Sequence, residues 1–384
     1  MLQIIDRYLI RSFLKIFLVC WFSLTSLYLV VDGFSNLEEF LDLSKQSGNL
    51  GAILYDYYTP RVFDFFDRTA PLLALIAAIG SLVWMQRSNE LAAVEACGIP
   101  KSRLLRPFVV CMAGLLILSV VNREFWIPQY KVSLAKNAQN WDGSESRSIQ
   151  PQQDAATGVW ITNGRITIAQ QRLERPEFQL PPEAAAFGSR LIAEAADAVP
   201  ATQWHPAGFI LHNVLEPKTA AERPSVAVGD RPLLIVARNA GWLKPQDIFL
   251  ASGVSLEDLA YGQDIQRFAS LREQIRQLKN PSIWFSNRQR VQVHARILRP
   301  VLDLVILLVG IPVMLTRRER NMFVAFAACL VVVIGIQLFA IACQSLGASR
   351  LISPAALAAW LPLIVLVPVA TVAVTRLDGG FRRG

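Results

Sequence analysis

The chain of 384 residues is 53% hydrophobic and 18% charged, a balance too apolar for an ordinary soluble protein and too polar for one that lies wholly within a membrane. Its formal net charge of +8 comes largely from basic residues beside apolar runs, where such residues indicate membrane topology and give no support for nucleic-acid binding. All five cysteines lie in apolar runs or in one short loop between two of them, which excludes a disulfide framework for the rest of the chain.

Six apolar runs are long enough to cross a bilayer as helices, which takes roughly 20 residues each. The runs are residues 13–31, 69–85, 104–121, 300–316, 322–346 and 354–375. The sequence therefore predicts an α-helical integral membrane protein with six transmembrane helices in a 3+3 arrangement. The long gap between the two sets can bury a core of its own. We accordingly place the domain limits at residues 1–122, 123–290 and 291–384.

Basic residues concentrate on one side of the predicted spans. They lie before the first span, between the second and third, between the fourth and fifth, and after the sixth, whereas the other short loops hold few. Because cytoplasmic loops are rich in Lys and Arg, both termini are predicted to be cytoplasmic and the middle domain extracytoplasmic. The first apolar run follows basic residues as in a signal peptide, but residues 30–33 offer no small-residue cleavage site, so we interpret it as an uncleaved helix.

The loop between the second and third spans reads QRSNELAAVEACGIPKSRLLRP over residues 86–107. Helix formers fill residues 89–97, Ser88 or Asn89 is placed to cap the start, and Gly98 is a stop signal. The pattern predicts a helix of about two to three turns on the cytoplasmic side, clamped between two spans. Such a helix is either a well-capped connector or a lever on which a soluble partner pushes.

The middle segment changes to short alternating patterns broken by Pro and Gly, which are typical of β strands. Residues 159–168 form two alternating runs around Asn163-Gly164, the strongest short signal for a hairpin turn. That hairpin would set Ile161 opposite Ile166 on an apolar face, so an all-β domain of sandwich or jelly-roll type is predicted. Further strands are predicted at residues 190–196, 208–215 and 232–238, a helix at residues 265–279, and long loops at residues 172–182 and 216–230.

Charged residues just before the second span are candidates for binding an anionic group. Arg61, Asp64 and Asp67 follow one another at intervals of three residues, and Arg68 comes next. In a helix, side chains three residues apart lie on neighbouring turns of one face. The group is either a self-neutralised cluster at the membrane interface or part of an anion-binding mouth.

A second charged group lies where the fourth span begins. Asp303 falls inside the apolar run, where a charge costs at least roughly 2.5 kcal/mol unless it is paired or faces water. Arg299 precedes it by four residues, the spacing of an ion pair on a helix. One interpretation is a local pair at the outer interface, with Arg296 as an interfacial anchor. The other is a cavity in which the arginines meet an anionic head group through charge-assisted hydrogen bonds.

Motifs for catalysis, nucleotide binding and metal binding are absent from the sequence. It contains neither a G-x-x-x-x-G-K-[ST] phosphate-binding loop nor a G-x-S-x-G nucleophile elbow. The histidines at 205, 212 and 294 have no neighbours at metal-ligand spacing. We therefore predict no enzymatic activity, no metal and no cofactor for this chain. If it works with ATP, hydrolysis must come from another chain.

Several short motifs follow one another along the whole chain. The loop helix reads R-S-N-E-L at residues 87–91 and A-C-G-I at residues 96–99. The others are D-R-Y at residues 6–8, E-F-W-I-P-Q at residues 124–129 and L-V-G-I-P at residues 308–312. Together they resemble the motifs of the lipopolysaccharide-export permeases, the LptF/LptG family. The coupling helix of that family has R-x-x-E-L before A-S-G-[IF], and Cys97 stands here in place of the usual Ser.

The resemblance implies a function, partners and site residues. It implies a permease subunit of an ABC-type exporter that extracts lipopolysaccharide or a related anionic glycolipid from the inner membrane and passes it along a periplasmic β-jelly roll to periplasmic bridge proteins. The implied partners also include a second six-helix permease of the same family and a cytosolic ATPase dimer. The implied ATPase-coupling residues are Arg87, Glu90, Leu91, Glu95 and Gly98. The candidate lipid-binding residues come instead from the two charged groups described above, and they are Arg61, Arg68, Arg296, Arg299 and Asp303.

Two other classes of protein compete with this interpretation. A membrane-anchored periplasmic binding or assembly scaffold would use the β domain to hold a partner without transport. It would need no ATPase-docking helix, so the predicted loop helix favours the transport subunit. An integral-membrane enzyme would need a catalytic constellation, which the sequence does not contain.

Overall fold

A computed structural model describes residues 4–136, 146–167, 170–202, 205–228, 231–278, 287–316 and 322–379. Packing divides the chain into two compact units. The first, the membrane unit, comprises Met1–Leu37, Leu54–Ile127 and Phe285–Gly384, and the second, the β unit, comprises Glu38–Ile53 and Pro128–Trp284. The domain limits drawn from the sequence stay a prediction, because these units reflect packing and not the independent folding of each piece.

Six helices in the described ranges are long and apolar enough to span a membrane, as the sequence predicts. These spans are Ile4–Ser35, Leu50–Arg87, Lys101–Gln129, Asn287–Leu315, Ala327–Ala348 and Ala355–Leu377. Most of the helices extend beyond the predicted apolar runs, because backbone hydrogen bonding continues into polar flanks that hydropathy does not detect. In chain order the helices are α1 (Ile4–Ser35), α2 (Leu37–Ser47), α3 (Leu50–Arg87), α4 (Glu90–Ala96), α5 (Leu105–Val121), α6 (Ile127–Gln129), α7 (Lys131–Ala135), α8 (Leu256–Tyr261), α9 (Gln263–Phe268), α10 (Leu271–Leu278), α11 (Asn287–Thr316), α12 (Met322–Ala348) and α13 (Ala355–Gly379).

The membrane unit has one apolar core shared by its helices. Helix α11 packs against α5, α12 and α13, and α1 packs against α5. Fully buried aromatic rings fill the contact between α1 and α5, where Phe13 of α1 meets Phe108 of α5 with ring centroids 6.2 Å apart. Gly347 lets α12 approach α13 closely, since a Cβ at this position would collide with Ala358.

The third span ends in an unusual way. After α5 the chain forms a π-helical turn at Asn122–Trp126 and then continues as α6. Pro128 lies inside α6, one residue before the span ends at Gln129. A proline lacks the N–H that would reach the carbonyl four residues earlier, and the wider π turn accommodates that missing bond.

The inserted domain is all-β at its centre, as predicted. Among the described residues the strands are β1 (Arg147–Ser148), β2 (Gln152–Gln153), β3 (Trp160–Thr167), β4 (Arg172–Gln179), β5 (Arg190–Val199), β6 (Gly208–Glu216), β7 (Val226–Val228), β8 (Arg231–Val236) and β9 (Ile248–Ala251). They form one antiparallel sheet in the order β1-β3-β4-β5-β6-β9-β8-β7, and β2 also pairs with β3. Buried aliphatic and aromatic residues from most strands and from α8 form the main core of this unit. A smaller separate cluster contains Leu243 and Phe249.

The hairpin predicted at Asn163-Gly164 is wrong. These residues lie inside the continuous strand β3, where the pairing with β4 shifts register on both sides of Asn163. Gly164 has φ +145° at this bulge, and its N–H donates to the Asn163 side chain at 2.9 Å. The bulge moves the later residues to the opposite face, so Ile161 and Ile166 are both fully buried although they are five positions apart. The predicted hairpin would also have set Val159 opposite Ile168, which lies outside the described residues.

Two predicted loops contain strands. Residues 172–182, interpreted as a loop, include β4, whose Leu173 and Phe178 are buried between charged neighbours. Pro176 made this stretch look irregular, but it lies opposite the β3 bulge, where a strand tolerates the loss of one hydrogen bond. Residues 216–230 include the short strand β7. The helix predicted at residues 265–279 is divided into α9 and α10 by a break after Phe268.

Candidate functional site

The loop helix predicted between the second and third spans is present as α4, which has seven residues. Asn89 adopts φ 59° between α3 and α4, a left-handed conformation that Asn tolerates better than most residues, and its carbonyl accepts from Ala93 N at 3.2 Å. At the other end Gly98 has φ +74°, and Ile99 N donates to the Val94 carbonyl at 3.3 Å. This is the Schellman geometry that ends a helix at a glycine. Both ends of α4 are therefore fixed by the local sequence.

Three contacts attach the α4 loop to the spans. Leu91 is only 7% exposed and belongs to the core of the membrane unit. The side chains of Glu90 and Tyr8 in α1 interact. Lys101, which follows α4, donates from Nζ to the Leu315 carbonyl at 3.4 Å, close to the C-terminal end of α11 where a cation is favourable. Movement of α4 would thus be felt by spans on both sides of the inserted domain in the sequence.

The remaining predicted coupling residues lie where the sequence indicated. Arg87 is exposed in the last turn of α3, and Gly98 is exposed just after α4. Glu95 is in α4, and its side chain lies outside the described part of the protein.

A second polar site lies far from α4. Asp67 precedes the end of α3 by 20 residues, which at 1.5 Å per residue places it about 30 Å along the helix. Arg123, in the π turn, donates from Nη2 and Nε to both carboxylate oxygens of Asp67 at 2.7–3.2 Å. The two side chains are only 10% and 11% exposed. This is a buried bidentate ion pair between the second and third spans.

The π turn extends this contact to a third span. Glu124 Oε1 lies 3.5 Å from Arg296 Nη2 of α11, and the same nitrogen donates to the Arg123 carbonyl at 3.3 Å. Asn122 is buried and donates from Nδ2 to the Phe63 carbonyl of α3 at 2.8 Å. We call Asp67, Asn122, Arg123, Glu124 and Arg296 the polar cluster.

The predicted lipid-binding residues occupy different surroundings. Arg61 donates to the Tyr57 carbonyl at 2.9 Å and stacks on the Tyr57 ring with its guanidinium carbon 3.4 Å from the centroid. Arg68 pairs with Asp64 on the same helix. The cluster expected at residues 61–68 is therefore only partly self-neutralised, because its other acid, Asp67, pairs with a different span.

Asp303 is 6% exposed in α11. Among the described residues, no ion pair between Asp303 and Arg299 lies within 4.0 Å, so the local pair considered from the sequence is not formed. Arg299 is half-buried. Of the predicted lipid-binding residues, only Arg296 belongs to the polar cluster.

Sequence reasoning did not select Asn122, Arg123 and Glu124 as functional residues. A signal was available, since the third span ends in three consecutive polar residues and the second span begins with acidic ones. Opposite charges at the ends of two adjacent spans are good candidates for a pair. Within the described ranges, no group of three or more His, Cys, Asp or Glu residues is arranged to hold a metal ion.

Comparison with protein families identifies a match. The family model described as "Lipopolysaccharide export system permease LptF/LptG" matches residues 7–180 and 190–376, which is nearly the whole chain. A comparison with curated proteins finds no match.

Proposed function

The chain belongs to the LptF/LptG family of lipopolysaccharide export system permeases, and from that premise we propose that it is one permease half of an ABC-type exporter. In this proposal it pairs with a second six-helix permease, a cytosolic ATPase dimer supplies hydrolysis, and periplasmic bridge proteins receive the glycolipid. Its six apolar helices and its family make it a multi-pass inner-membrane protein. The proposed orientation has both termini in the cytoplasm and the β domain in the periplasm, which the distribution of basic residues supports.

The observation that carries the proposal is α4. A short helix with fixed ends stands between two spans, and Leu91 anchors it in the membrane core. The contact of Glu90 with α1, and that of Lys101 in the following turn with α11, supply a path by which a force on α4 reaches other spans. We propose that Arg87, Glu90, Leu91, Glu95 and Gly98 form the ATPase-coupling site. Glu90 and Glu95 provide the acidic groups for basic residues of the ATPase.

Charge reversal tests this site. The double variant Glu90→Lys and Glu95→Lys should lose co-purification of the ATPase and release of glycolipid, because two attractive charges become repulsive. The matched control, Glu38→Lys with Glu39→Lys in α2, makes the same change in charge on a helix predicted to be outside the cytoplasm. If the α4 variant keeps both activities, α4 is only a connector. The alternative function, a periplasmic binding or assembly scaffold without transport, then becomes the better one.

We also propose that Arg61, Arg68, Arg296, Arg299 and Asp303 contribute to glycolipid binding. Arg296 supports this proposal because it lies in the polar cluster, with its Nη2 3.5 Å from Glu124 Oε1. A guanidinium fork matches the geometry of a phosphate as well as that of a carboxylate, so it can exchange one for the other. Binding of lipid would then replace the contact between Arg296 and Glu124.

Photo-crosslinking distinguishes this role from simple anchoring. A photoreactive residue at position 296 should give adducts with lipopolysaccharide that change on addition of ATP. The same residue at position 331, an exposed site on α12, should give only phospholipid adducts. Arg296→Ala should weaken lipid capture and leave ATPase assembly intact. Adducts elsewhere in the spans, with none at position 296, would leave Arg296 as an interfacial anchor.

A further inference from the structure

Helix α10 lies in the chain between the last strand of the β sheet and the fourth span, and its side chains are distributed unequally around it. At 3.6 residues per turn, Leu271 and Ile275 lie one above the other on one side. Arg272 and Arg276 lie on the adjoining side, and Glu273 is opposite Ile275. The helix thus has an apolar side, a basic flank and one acidic residue at its back.

The acidic residue holds α10 in place. Lys131 of α7 donates from Nζ to Glu273 Oε1 at 2.8 Å and lies 3.4 Å from Glu257 Oε2 of α8. Burial opposes the charge of Lys131, but the two glutamates outweigh burial and raise the pKa of Lys131 above its ordinary value. Ser270 also accepts from Glu273 N at 3.2 Å, which caps the helix start. The back of α10 is therefore tied to two neighbouring helices.

Both Lys131 and the end of α10 are close in the sequence to a span. Lys131 follows Gln129, the last residue of the third span, by two positions. Helix α10 ends at Leu278, nine positions before the fourth span begins at Asn287. Since an extended chain covers at most about 3.3–3.6 Å per residue, Lys131 lies within about 7 Å of the end of the third span. The nine positions after Leu278 allow up to about 32 Å, so it is the contact of Glu273 with Lys131 that keeps α10 near a span.

The residues of α10 that carry this argument are exposed. Ile275 is 41% exposed, and both Arg272 and Arg276 are exposed. Among the described residues, no ion pair is formed by either arginine. Two like charges four residues apart repel each other on a helix, and the one acid of α10 already pairs with Lys131. An environment that is apolar beside Ile275 and anionic beside the arginines would satisfy both features.

We propose that α10 is a membrane-surface helix that binds anionic phospholipid. Ile275 enters the boundary between head groups and acyl chains, and Arg272 and Arg276 contact lipid phosphates, as in other amphipathic helices that lie in the interface. This interaction is distinct from glycolipid transport. In this proposal, α10 attaches the β unit to the bilayer surface.

Depth measurement on the full-length protein tests the proposal. The protein carries a nitroxide at Ile275→Cys, with its five native cysteines replaced by alanine, in nanodiscs of phosphatidylglycerol and phosphatidylethanolamine. Collisions with oxygen should exceed those with a water-soluble nickel complex severalfold at position 275. A label at Glu174→Cys, an exposed position of β4, should show the reverse. Equal access of the nickel complex to both labels would overturn the proposal.

The basic flank is tested in the same system. In anionic discs, Arg272→Gln with Arg276→Gln should lower the ratio of membrane-inserted to water-exposed label at position 275. The expected fall is about fivefold for each arginine removed. The double variant should have no effect in discs of phosphatidylcholine. The control, Arg165→Gln with Arg175→Gln, removes two exposed arginines from β3 and β4. An unchanged ratio for the α10 variant, or an equal fall for the control, would show that the arginines do not bind the lipid surface.

Discussion

The two units of this protein each bury a carboxylate, and they stabilise it in different ways. In the membrane unit, Asp67 is held by the guanidinium of Arg123 from another span. In the β unit, Asp154 is fully buried and accepts from neutral donors. These donors are Ser252 Oγ at 2.7 Å, Gly253 N at 3.0 Å, Ala156 N at 2.9 Å and Thr157 N at 3.3 Å.

The contacts of Asp67 and of Asp154 differ in how easily they can be broken. An arginine has a long side chain and can exchange one anion for another, so the ion pair between the second and third spans depends on a single cationic side chain. The donors to Asp154 come from its own turn and from the segment after β9, and three of them are backbone amides, which remain when the side chains are truncated. We infer that the Asp67–Arg123 pair is suited to spans that rearrange, whereas Asp154 fixes a connection in the β unit permanently.

The largest expected effect comes from removing the cation. Arg123→Met should lower the free energy of unfolding by about 3–5 kcal/mol, because it leaves the Asp67 carboxylate buried without a partner. The double variant Asp67→Leu with Arg123→Met should regain most of that loss, since an apolar pair of similar volume carries no desolvation cost. Chemical denaturation in detergent measures all of these values.

Arg68→Met provides the matched control, because Arg68 is exposed and pairs with Asp64 on its own helix. An exposed pair of this kind contributes about 0–1 kcal/mol. If Arg123→Met lowers the free energy of unfolding no more than Arg68→Met does, burial of the Asp67–Arg123 pair has no effect on stability.

A smaller loss is expected for Asp154→Asn. The new amide NH₂ would face the N–H of Gly253, so at least one hydrogen bond to a charged acceptor is lost, at about 1.5–3 kcal/mol. Addition of Ser252→Ala should not restore stability, because the backbone donors remain. Limited proteolysis of the β unit along a denaturant series measures the change, with Glu174→Gln on exposed β4 as the control. If Ser252→Ala restored the stability lost in Asp154→Asn, the contacts of Asp154 would depend on one side chain, as the Asp67–Arg123 pair does.

The elements of the fold differed in how far the sequence predicted them. The six spans were predictable because a run of roughly 20 apolar residues is uncommon outside membrane-spanning helices. The hairpin at Asn163-Gly164 failed for a local reason, since the same dipeptide suits a bulge, and pairing with β4 decided between the two. Strand β4 was missed because Pro176 and its charged neighbours conceal the buried Leu173 and Phe178.

The two sites differed in the same way. Helix α4 was predictable because its signals are local: Asn89 before it, Gly98 after it, and helix formers between them. The polar cluster depends on the pairing of Asp67 with Arg123, which are 56 positions apart in the chain. It also depends on a π turn that no sequence pattern predicted. A sequence shows which charges enter a span, but helix packing determines which of them meet.

The smallest expected effect concerns another buried carboxylate, Asp258, for which burial outweighs its hydrogen bonds. Asp258 is 7% exposed in the first turn of α8, where Ser255 Oγ donates to its Oδ2 at 2.7 Å. Among the described residues, Ser255 is the only residue that donates to the Asp258 carboxylate, whereas Asp154 accepts from four donors. Burial accordingly raises the pKa of Asp258 above its usual value of 3.8.

A raised pKa means that the folded protein binds this proton more tightly than the unfolded chain does. The stabilisation is therefore complete below about pH 3.8 and is lost as the pH rises through the folded pKa. Asp258→Asn, which is neutral throughout, should remove this part of the pH dependence, at about 1.4 kcal/mol for each unit by which the pKa is raised. The free energy of unfolding of the β unit, measured for both proteins from about pH 3 to 6, should differ most in its slope just above pH 3.8. Parallel curves would mean that the Ser255 bonds compensate fully for burial, and Asp258 would then belong with Asp154 as a carboxylate that neutral donors alone can hold.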